Sequence, residues 1–261
     1  MVAWLFGKVS KSLPKKELSP HYADTNDIQA CIEANGFCVL DTANVLRLTG
    51  CTLAELNGLA SDWNQMPQDN YLKDGGHYRR RRHSCFVFED HTLSQVPHRA
   101  HWQSLDYNAL HGGMDRLFEP VLDTTIAKPA WTRILSALSQ KLTDMHQPLN
   151  GKWCIEAHQF RIDTSDGIGR PTPEGAHRDG VNFVAVFMVG RNQIKGGETR
   201  VFEADGPRGQ RFTLDQAWSL LLLDDTRMIH ESTPIQPLAE PGHRDTLVVT
   251  FRENSFQSSP S

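Results

Sequence analysis

Apolar and polar positions follow one rhythm in the first half of the chain and another in the second. Asp24 to Ala34 has helical spacing, with Asp24 or Thr25 as cap and Gly36 as stop. Thr52-Leu53-Ala54-Glu55 is a capping box, in which each side chain answers the other residue's free backbone N–H. It opens a helix to about Met66, ended by Pro67. Pro129 to Met145 sets Trp131, Ile134, Leu135, Leu138 and Leu142 on one helical stripe. Phe37–Leu40 reads as a short strand, and Gly75-Gly76 turns the chain into an extended run from Tyr78 to Glu89. Near residue 150 the texture changes. Short β-rich runs follow at Trp153–Ile162, Asn182–Val189, Glu198–Glu203, Ala217–Leu223 and Thr246–Arg252, parted by GRPTPEG, NQIKGG, ADGPRGQ and TPIQPLAEPGH. Many short strands between Gly/Pro turns predict a sandwich or barrel. The expected architecture is α+β, mainly β: a jelly-roll core with the N-terminal helices packed outside. An arm over 1–20 precedes a single domain over 21–252, helix-rich over 21–150 and jelly-roll over 151–252. A disordered tail occupies 253–261.

Composition narrows the function. The chain has 261 residues, 39% of them hydrophobic and 22% charged, which excludes wholesale disorder and suits one large core. A net charge of −4 argues against nucleic acid as partner, despite the run Arg79–Arg82. Five cysteines at irregular spacing, without a CxxC pair, fit reduced thiols in the cytoplasm. The apolar patch Val2–Phe6 is too short for a signal core, and no run is long enough to span a membrane. Twelve histidines raise the question of metal or acid–base chemistry.

Two of the twelve stand in a pattern with chemical meaning. His177 and Asp179, in GAHRDG, are at i and i+2, so in extended chain both side chains point the same way. His230 follows the buried-strand run Trp218–Leu223. Two imidazoles and one carboxylate on one side of an ion leave three positions open, the facial triad of non-haem Fe(II) oxygenases. Arg244 and Thr246 are again i and i+2, and a guanidinium with a hydroxyl beside it grips a carboxylate. That pair suits the distal carboxylate of 2-oxoglutarate. Asp224-Asp225 forms a turn ahead of His230 and is a candidate orienting group.

His177-x-Asp179, His230 and Arg244-x-Thr246 resemble the 2-oxoglutarate/Fe(II)-dependent dioxygenases. HQFRI (158–162), PTPEGAHRDG (171–180), NQIKGGETRVF (192–202), LLLDDTRMIHESTPI (221–235) and HRDTLVVTFR (243–252) are similar to the bacterial branch of free L-isoleucine-type amino-acid hydroxylases. GGHYRRRRHSCFVFED (75–90) shares the likeness. The resemblance implies a double-stranded β-helix of cupin-like form. It implies Fe(II), 2-oxoglutarate and O₂, with ascorbate as support. It further implies hydroxylation of an aliphatic C–H of a free amino acid, or thioether oxidation, with succinate and CO₂ as co-products. His177, Asp179 and His230 would hold the metal, and Arg244 with Thr246 the co-substrate.

Substrate contacts are less sharply marked. In extended chain Tyr78, Arg80 and Arg82 share one face and Arg79 and Arg81 the other. The run is either a solvated, ion-paired strand or carries an arginine that meets the substrate carboxylate. Gln159 and Arg161 share a face, as ligand contacts or as an exterior pair. Tyr78, Arg80, Gln159 and Arg161 are the candidates. Phe183 and Phe187, of one parity, belong to the core. His98 and His101 are assigned to the surface, and His77, His83 and His91 to structural roles. No GxSxG, P-loop or GxGxxG occurs. Two alternatives stand beside the hydroxylase: an oxygenase for a carrier-bound or peptidyl amino acid, and a non-catalytic jelly-roll binding or sensing protein.

Overall fold

The described residues, 19–259 of a computed structural model, open with α1 (Ile28–Asn35), β1 (Phe37–Leu40), α2 (Thr42–Thr49) and α3 (Leu53–Ala60). Next come β2 (Arg79–Glu89), β3 (Thr92–Gln95), α4 (Asp123–Ile126) and α5 (Pro129–Met145). The strand-rich half holds β4 (Lys152–Asp163), β5 (Phe183–Asn192), β6 (Ile194–Gly196), β7 (Thr199–Glu203) and β8 (Gly209–Phe212). It ends with β9 (Ser219–Asp224), β10 (Met228–Ser232), β11 (Ile235–Pro237) and β12 (His243–Glu253). The expected arm, apart from Ser19 and Pro20, lies outside the described residues.

Local chemistry sets several boundaries. The Thr52–Glu55 capping box forms as expected. Its helix stops at Ala60, and Ser61–Gln65 tightens into a 3₁₀ turn. There the Trp63 indole N–H donates to the carbonyls of Phe160 (3.1 Å) and Thr246 (3.2 Å), pinning the turn to two strands. Helix α2 is additional: Asp41 accepts from Asn44 N–H at its start and Gly50 ends it at φ 65°.

The main sheet has seven antiparallel strands in the order β1-β9-β5-β12-β4-β2-β3, and smaller sheets run β10-β7-β8 and β11-β6. The first half of the chain therefore supplies both edges of the main sheet, which is not confined to 151–252. One face of this sheet packs on the helices: Trp153, Ile155 and Ala157 of β4, Phe183 and Phe187 of β5 and Leu247, Val249 and Phe251 of β12 meet Ile134, Leu135, Leu138 and Leu142 of α5. The opposite face of β5 and β9 packs Val184, Met188, Leu221 and Leu223 against Val201 and Phe212 of the second sheet. The result is a jelly-roll sandwich with helices on the outside. Toward β4 and β2 the gap between layers is walled by residues from 101–116 and 171–181, and there it opens into a cavity.

The tail is not disordered throughout. Gln257 Nε2 donates to the carbonyls of Asp179 (2.9 Å) and Gly180 (3.1 Å), and Arg99 lies 4.5 Å over the Phe256 ring. These contacts fold the chain after β12 across the cavity. Among the described residues no helix is long and apolar enough to cross a membrane.

Candidate active site

His177 and His230 are held opposite each other by the backbone itself. Each donates its N–H to the other's carbonyl, at 3.0 and 2.9 Å, so an isolated bridge joins the 171–181 segment to β10. The two rings stand 4.6 Å apart. The His177 Nδ1–H donates to Gly175 O at 2.9 Å, which leaves Nε2 as a lone-pair donor. That Nε2 lies 3.8 Å from Asp179 Oδ1, and His230 Nε2 lies 3.8 Å from Asp179 Oδ2. Burial and the neighbouring His177 push His230 down to about 4, so it is neutral near pH 7. The loop is fixed from behind by Asp225, whose carboxylate accepts from the N–H groups of Asp179 (3.0 Å), Gly180 (2.8 Å) and Val181 (3.1 Å). Gln103 Nε2 donates to Asp179 Oδ1 at 2.9 Å.

Arg244 and Thr246 face the same cavity from β12. Arg244 is only 4% exposed, its Nε is buried without a partner, and no carboxylate of the described residues lies within ion-pair reach. The adjacent Asp245 is engaged on the other face, where Arg161 Nε and Nη2 each donate to it at 2.7 Å. Burial and the nearby Arg191 lower Arg244 to about 9. A buried guanidinium left in this condition seeks an anion. Gly197 lets the β6–β7 turn close on it: a Cβ there would fall 3.7 Å from Arg244 Cδ and 2.9 Å from Ile235 Cγ2.

The cavity measures about 1030 Å³, its open mouth included. Strand register decides which residues reach it. Arg81, Phe160 and Thr246 are cross-strand neighbours, as are Arg79, Ile162 and Arg244. All six line the cavity, with His158 and Glu156 further along β4. The four substrate candidates from sequence lie elsewhere. Gln159 and Arg161 share parity with Trp153, Ile155 and Ala157, so they turn to the helix side. There Gln159 is fully buried with neither amide atom hydrogen-bonded. Arg80 lies 3.6 Å from Asp163, and Tyr78 packs with Ile162, Ile194 and Ile235 while its hydroxyl donates to Asp74 at 2.6 Å. The signal for the true parity is in the sequence: Phe86 and Phe88 share a face with Arg80 and Arg82, and that apolar face is the one the helices cover.

Among the described residues two groups bring three or more ligand-type atoms within 4.8 Å of one another: His177, Asp179 and His230, and His83, His101, Glu156 and His158. Proton accounting separates them. Arg81 Nη2 donates to His158 Nδ1 at 2.9 Å, so in the neutral ring Nε2 keeps its proton and cannot bind a cation. That Nε2, His83 Nε2 and His101 Nδ1 lie 3.5, 3.2 and 2.5 Å from the single oxygen Glu156 Oε2. A carboxylate oxygen occupies the centre where an ion would sit. Burial lowers all three histidines, His101 to about 4. Burial alone would raise Glu156, but His101, His158 and His83 hold it well below the usual carboxylate range. This buried network corrects the surface assignment of His101. Its members come from three separate segments, and no local motif joins them.

The surroundings of the first group differ. Its histidine Nε2 atoms and its carboxylate converge without an internal counter-charge between them, a donor set that fits a divalent cation with open positions. A family model described as 2OG-Fe dioxygenase matches residues 60–250. The crystal structure of a bsmA homolog from Methylobium petroleophilum PM1 is 51% identical, with a TM-score of 0.88 over 93% of this chain and 98% of that one. IDO from Bacillus thuringiensis shares the fold at 18% identity and a TM-score of 0.73, over 89% of this chain and 100% of its own. The Fe(II)/(alpha)ketoglutarate-dependent dioxygenase TqaL does so at 19% and 0.67, over 89% and 91%. No curated protein matches. Fold, site and family model agree, and the chain belongs to the 2OG-Fe dioxygenase family, with Fe(II), 2-oxoglutarate and O₂ as cofactor and co-substrates.

Proposed function

We propose that the protein hydroxylates an aliphatic C–H of a free L-amino acid, releasing succinate and CO₂, within one catalytic domain over 21–252. In this reading His177 Nε2, an Asp179 carboxylate oxygen and His230 Nε2 hold Fe(II). Arg244 and Thr246 hold the distal carboxylate of 2-oxoglutarate. Iron, 2-oxoglutarate and O₂ together supply the oxidising power for the C–H bond.

The chain does the rest. The reciprocal 177–230 bridge fixes the angle between the two imidazoles. Gly175 O and Asp225 orient His177 and the Asp179 loop. Arg244, buried and without an ion-pair partner among the described residues, binds its anion without first breaking an internal ion pair. The 101–116 wall and Gln257 narrow the mouth and limit water.

The observation that carries the reading is enclosure. The His–Asp–His group and the anion-seeking arginine share one cavity, whose remaining space suits a small molecule. The free cysteines, all but Cys31 buried, fit a reducing cytoplasmic setting.

The test is incubation with Fe(II), 2-oxoglutarate and ascorbate and each of the twenty amino acids, reading succinate together with a +16 mass change. One or a few amino acids should give both in equal amounts. Succinate without any +16 amino acid would be uncoupled turnover with ascorbate as reductant and would move the same screen to carrier-bound or peptidyl amino acids, and no succinate together with no iron binding would point to a binding protein.

A further inference from the structure

Arg79, Arg81 and Arg116 reach the cavity wall away from the Arg244 corner. Arg79 is matched: its Nε lies 2.7 Å from Asp69 Oδ2, both side chains buried. Arg81 and Arg116 are not. Among the described residues no carboxylate lies within ion-pair reach of either. Arg81 Nη2 bonds the neutral His158 at 2.9 Å, and Arg116 Nη2 bonds the neutral Gln103 Oε1 at 2.9 Å. The Nε of each is buried without a partner. Both guanidiniums flank one ring, Arg81 at 3.9 Å and Arg116 at 5.9 Å from the Phe118 centroid, and Arg81 also lies 4.5 Å from Phe160. Burial lowers Arg81, and repulsion from Arg116 lowers it further. Two buried cations that share an aromatic neighbour and meet only neutral acceptors in one cavity wall are suited to receive an anion.

Unmatched negative charge stands close by. Glu174 lines the same cavity with its side chain 10% exposed. Its Oε1 lies 3.6 Å from His177 Nε2, while Oε2 is buried without any donor. Glu174 and Arg116 are near enough to feel each other's charge. Arg81 and Arg116 on one side, Glu156 and Glu174 on the other, leave this wall without net charge. Glu156 is already satisfied by three histidines. What remains open is a place for one carboxylate beside a place for one cation.

We infer that Arg81 and Arg116 clamp the α-carboxylate of the substrate and that Glu174 receives its α-ammonium group, so this wall reads the zwitterion and leaves the side chain to be oxidised. The assignment rests on the proposed free amino-acid substrate. A dicarboxylate would meet Glu174 with its second charge, and a peptidyl residue would bring neither group. Gln103 ties the clamp to the triad, because the same side chain accepts from Arg116 and donates to Asp179 Oδ1 at 2.9 Å. Its amide orientation is fixed by a second donor, Asn108 Nδ2, at 3.2 Å.

The experiment is anaerobic calorimetric titration of the Fe(II)- and 2-oxoglutarate-loaded protein. The probes are L-isoleucine and whichever amino acids the mass screen finds oxidised, with the methyl ester of each and the matching carboxylate lacking the amine. R81Q and R116Q should each weaken the amino acid by roughly 30-fold or more, with 2-oxoglutarate affinity within twofold of wild type. The ester should bind the wild type as weakly as the acid binds R116Q, and lose nothing further in that variant. E174Q should weaken the amino acid but not the amine-free carboxylate. Where a glutamine variant fails to fold by circular dichroism, R81K and R116K carry the test, since they keep the charge and lose the fork. Acid binding unchanged in the arginine variants, or ester binding equal to acid binding, overturns the clamp. Oxidation of an amino acid by a protein whose clamp fails leaves the proposed function standing. Arginine-dependent binding without oxidation leaves the clamp and removes the function, and no binding by any probe removes both.

Discussion

Asp225 never faces the cavity, yet three consecutive loop N–H groups end on its carboxylate. It holds the loop in the bend that aims Asp179 inward, with Gly180 at φ 74°. Asp225→Asn keeps the shape but sets an NH₂ group among N–H donors. Iron affinity should fall by about 10- to 100-fold, the range for lost ligand-orienting partners. Anaerobic iron titration reads this directly, and unchanged affinity would mean that the loop holds itself. Gly197 plays the corresponding part for Arg244. At φ 67° any side chain is strained there, and its Cβ would press on Ile235 Cγ2 at 2.9 Å and on Arg191 Nη1 at 3.0 Å, the guanidinium of the residue paired with Arg244 across the strands. Gly197→Ala should raise the 2-oxoglutarate requirement by about tenfold through a shift of the guanidinium of order 1 Å. Iron content should stay as in the wild type, and a variant that loses iron instead would place the damage elsewhere.

Among the elements, the segment after β12 forms part of the cavity wall through Phe256 and Gln257. It lies outside the main core, but Gln257 caps the Asp179 and Gly180 carbonyls and Phe256 shields Arg99. Truncation after Ser255 should change the melting temperature little and let water into the cavity. Succinate should then be released in excess of hydroxylated product, whereas a ratio that stays at one would deny the segment any closing role. Much at this scale is legible in the sequence. Pro129 at the first turn and one apolar stripe define α5, and the strand β1 is read at its observed ends. Helix α2 escapes because eight residues give periodicity too few repeats, although Asp41 and Gly50 mark its ends. The His177, Asp179, His230 and Arg244 positions are legible because each motif is local and the spacing fixes its face. Arg81, Arg116 and Gln103 are not, because cross-strand register and the 101–116 wall bring them to the cavity from distant parts of the chain, and Glu174, although three residues from His177, carries no spacing signal of its own. The parity error at Gln159 and Arg161 has a simple source. The face of a polar pair on a strand is set by its apolar neighbours, here Trp153, Ile155 and Ala157, which must be buried against the helices.

For the molecule as a whole, the cost of building a polar cavity inside a sandwich should appear in its acid stability. His83, His101 and His158 are buried and neutral, donating to or sharing one ionised carboxylate. Burial holds His101, and likewise His111 and His230, near 4. In the unfolded chain each takes a proton near 6.5. Between about 6.5 and 4 the unfolded state therefore binds more protons than the native state, and stability falls as pH falls. Each such histidine contributes a slope of at most about 1.4 kcal/mol per pH unit. Glu156 works in the same direction at lower pH, since its depressed carboxyl favours the folded state only while ionised. His177 and Asp225 oppose them: Glu174 and Asp179 raise His177 against its burial, and burial with the neighbouring Asp179 raises Asp225 to about 7, so these two contributions fade above the folded values, where bound iron would also hold His177 unprotonated. The Fe(II)-loaded protein should melt at a nearly constant temperature above pH 7 and at steeply lower temperatures between pH 6.5 and 4. His101→Gln, which keeps an N–H donor for Glu156 and removes the titrating ring, should flatten that decline by about one proton's worth. A decline of equal steepness in wild type and His101→Gln would mean that His101 carries its proton in the folded state, and the neutral-donor account of the Glu156 network would fall with it.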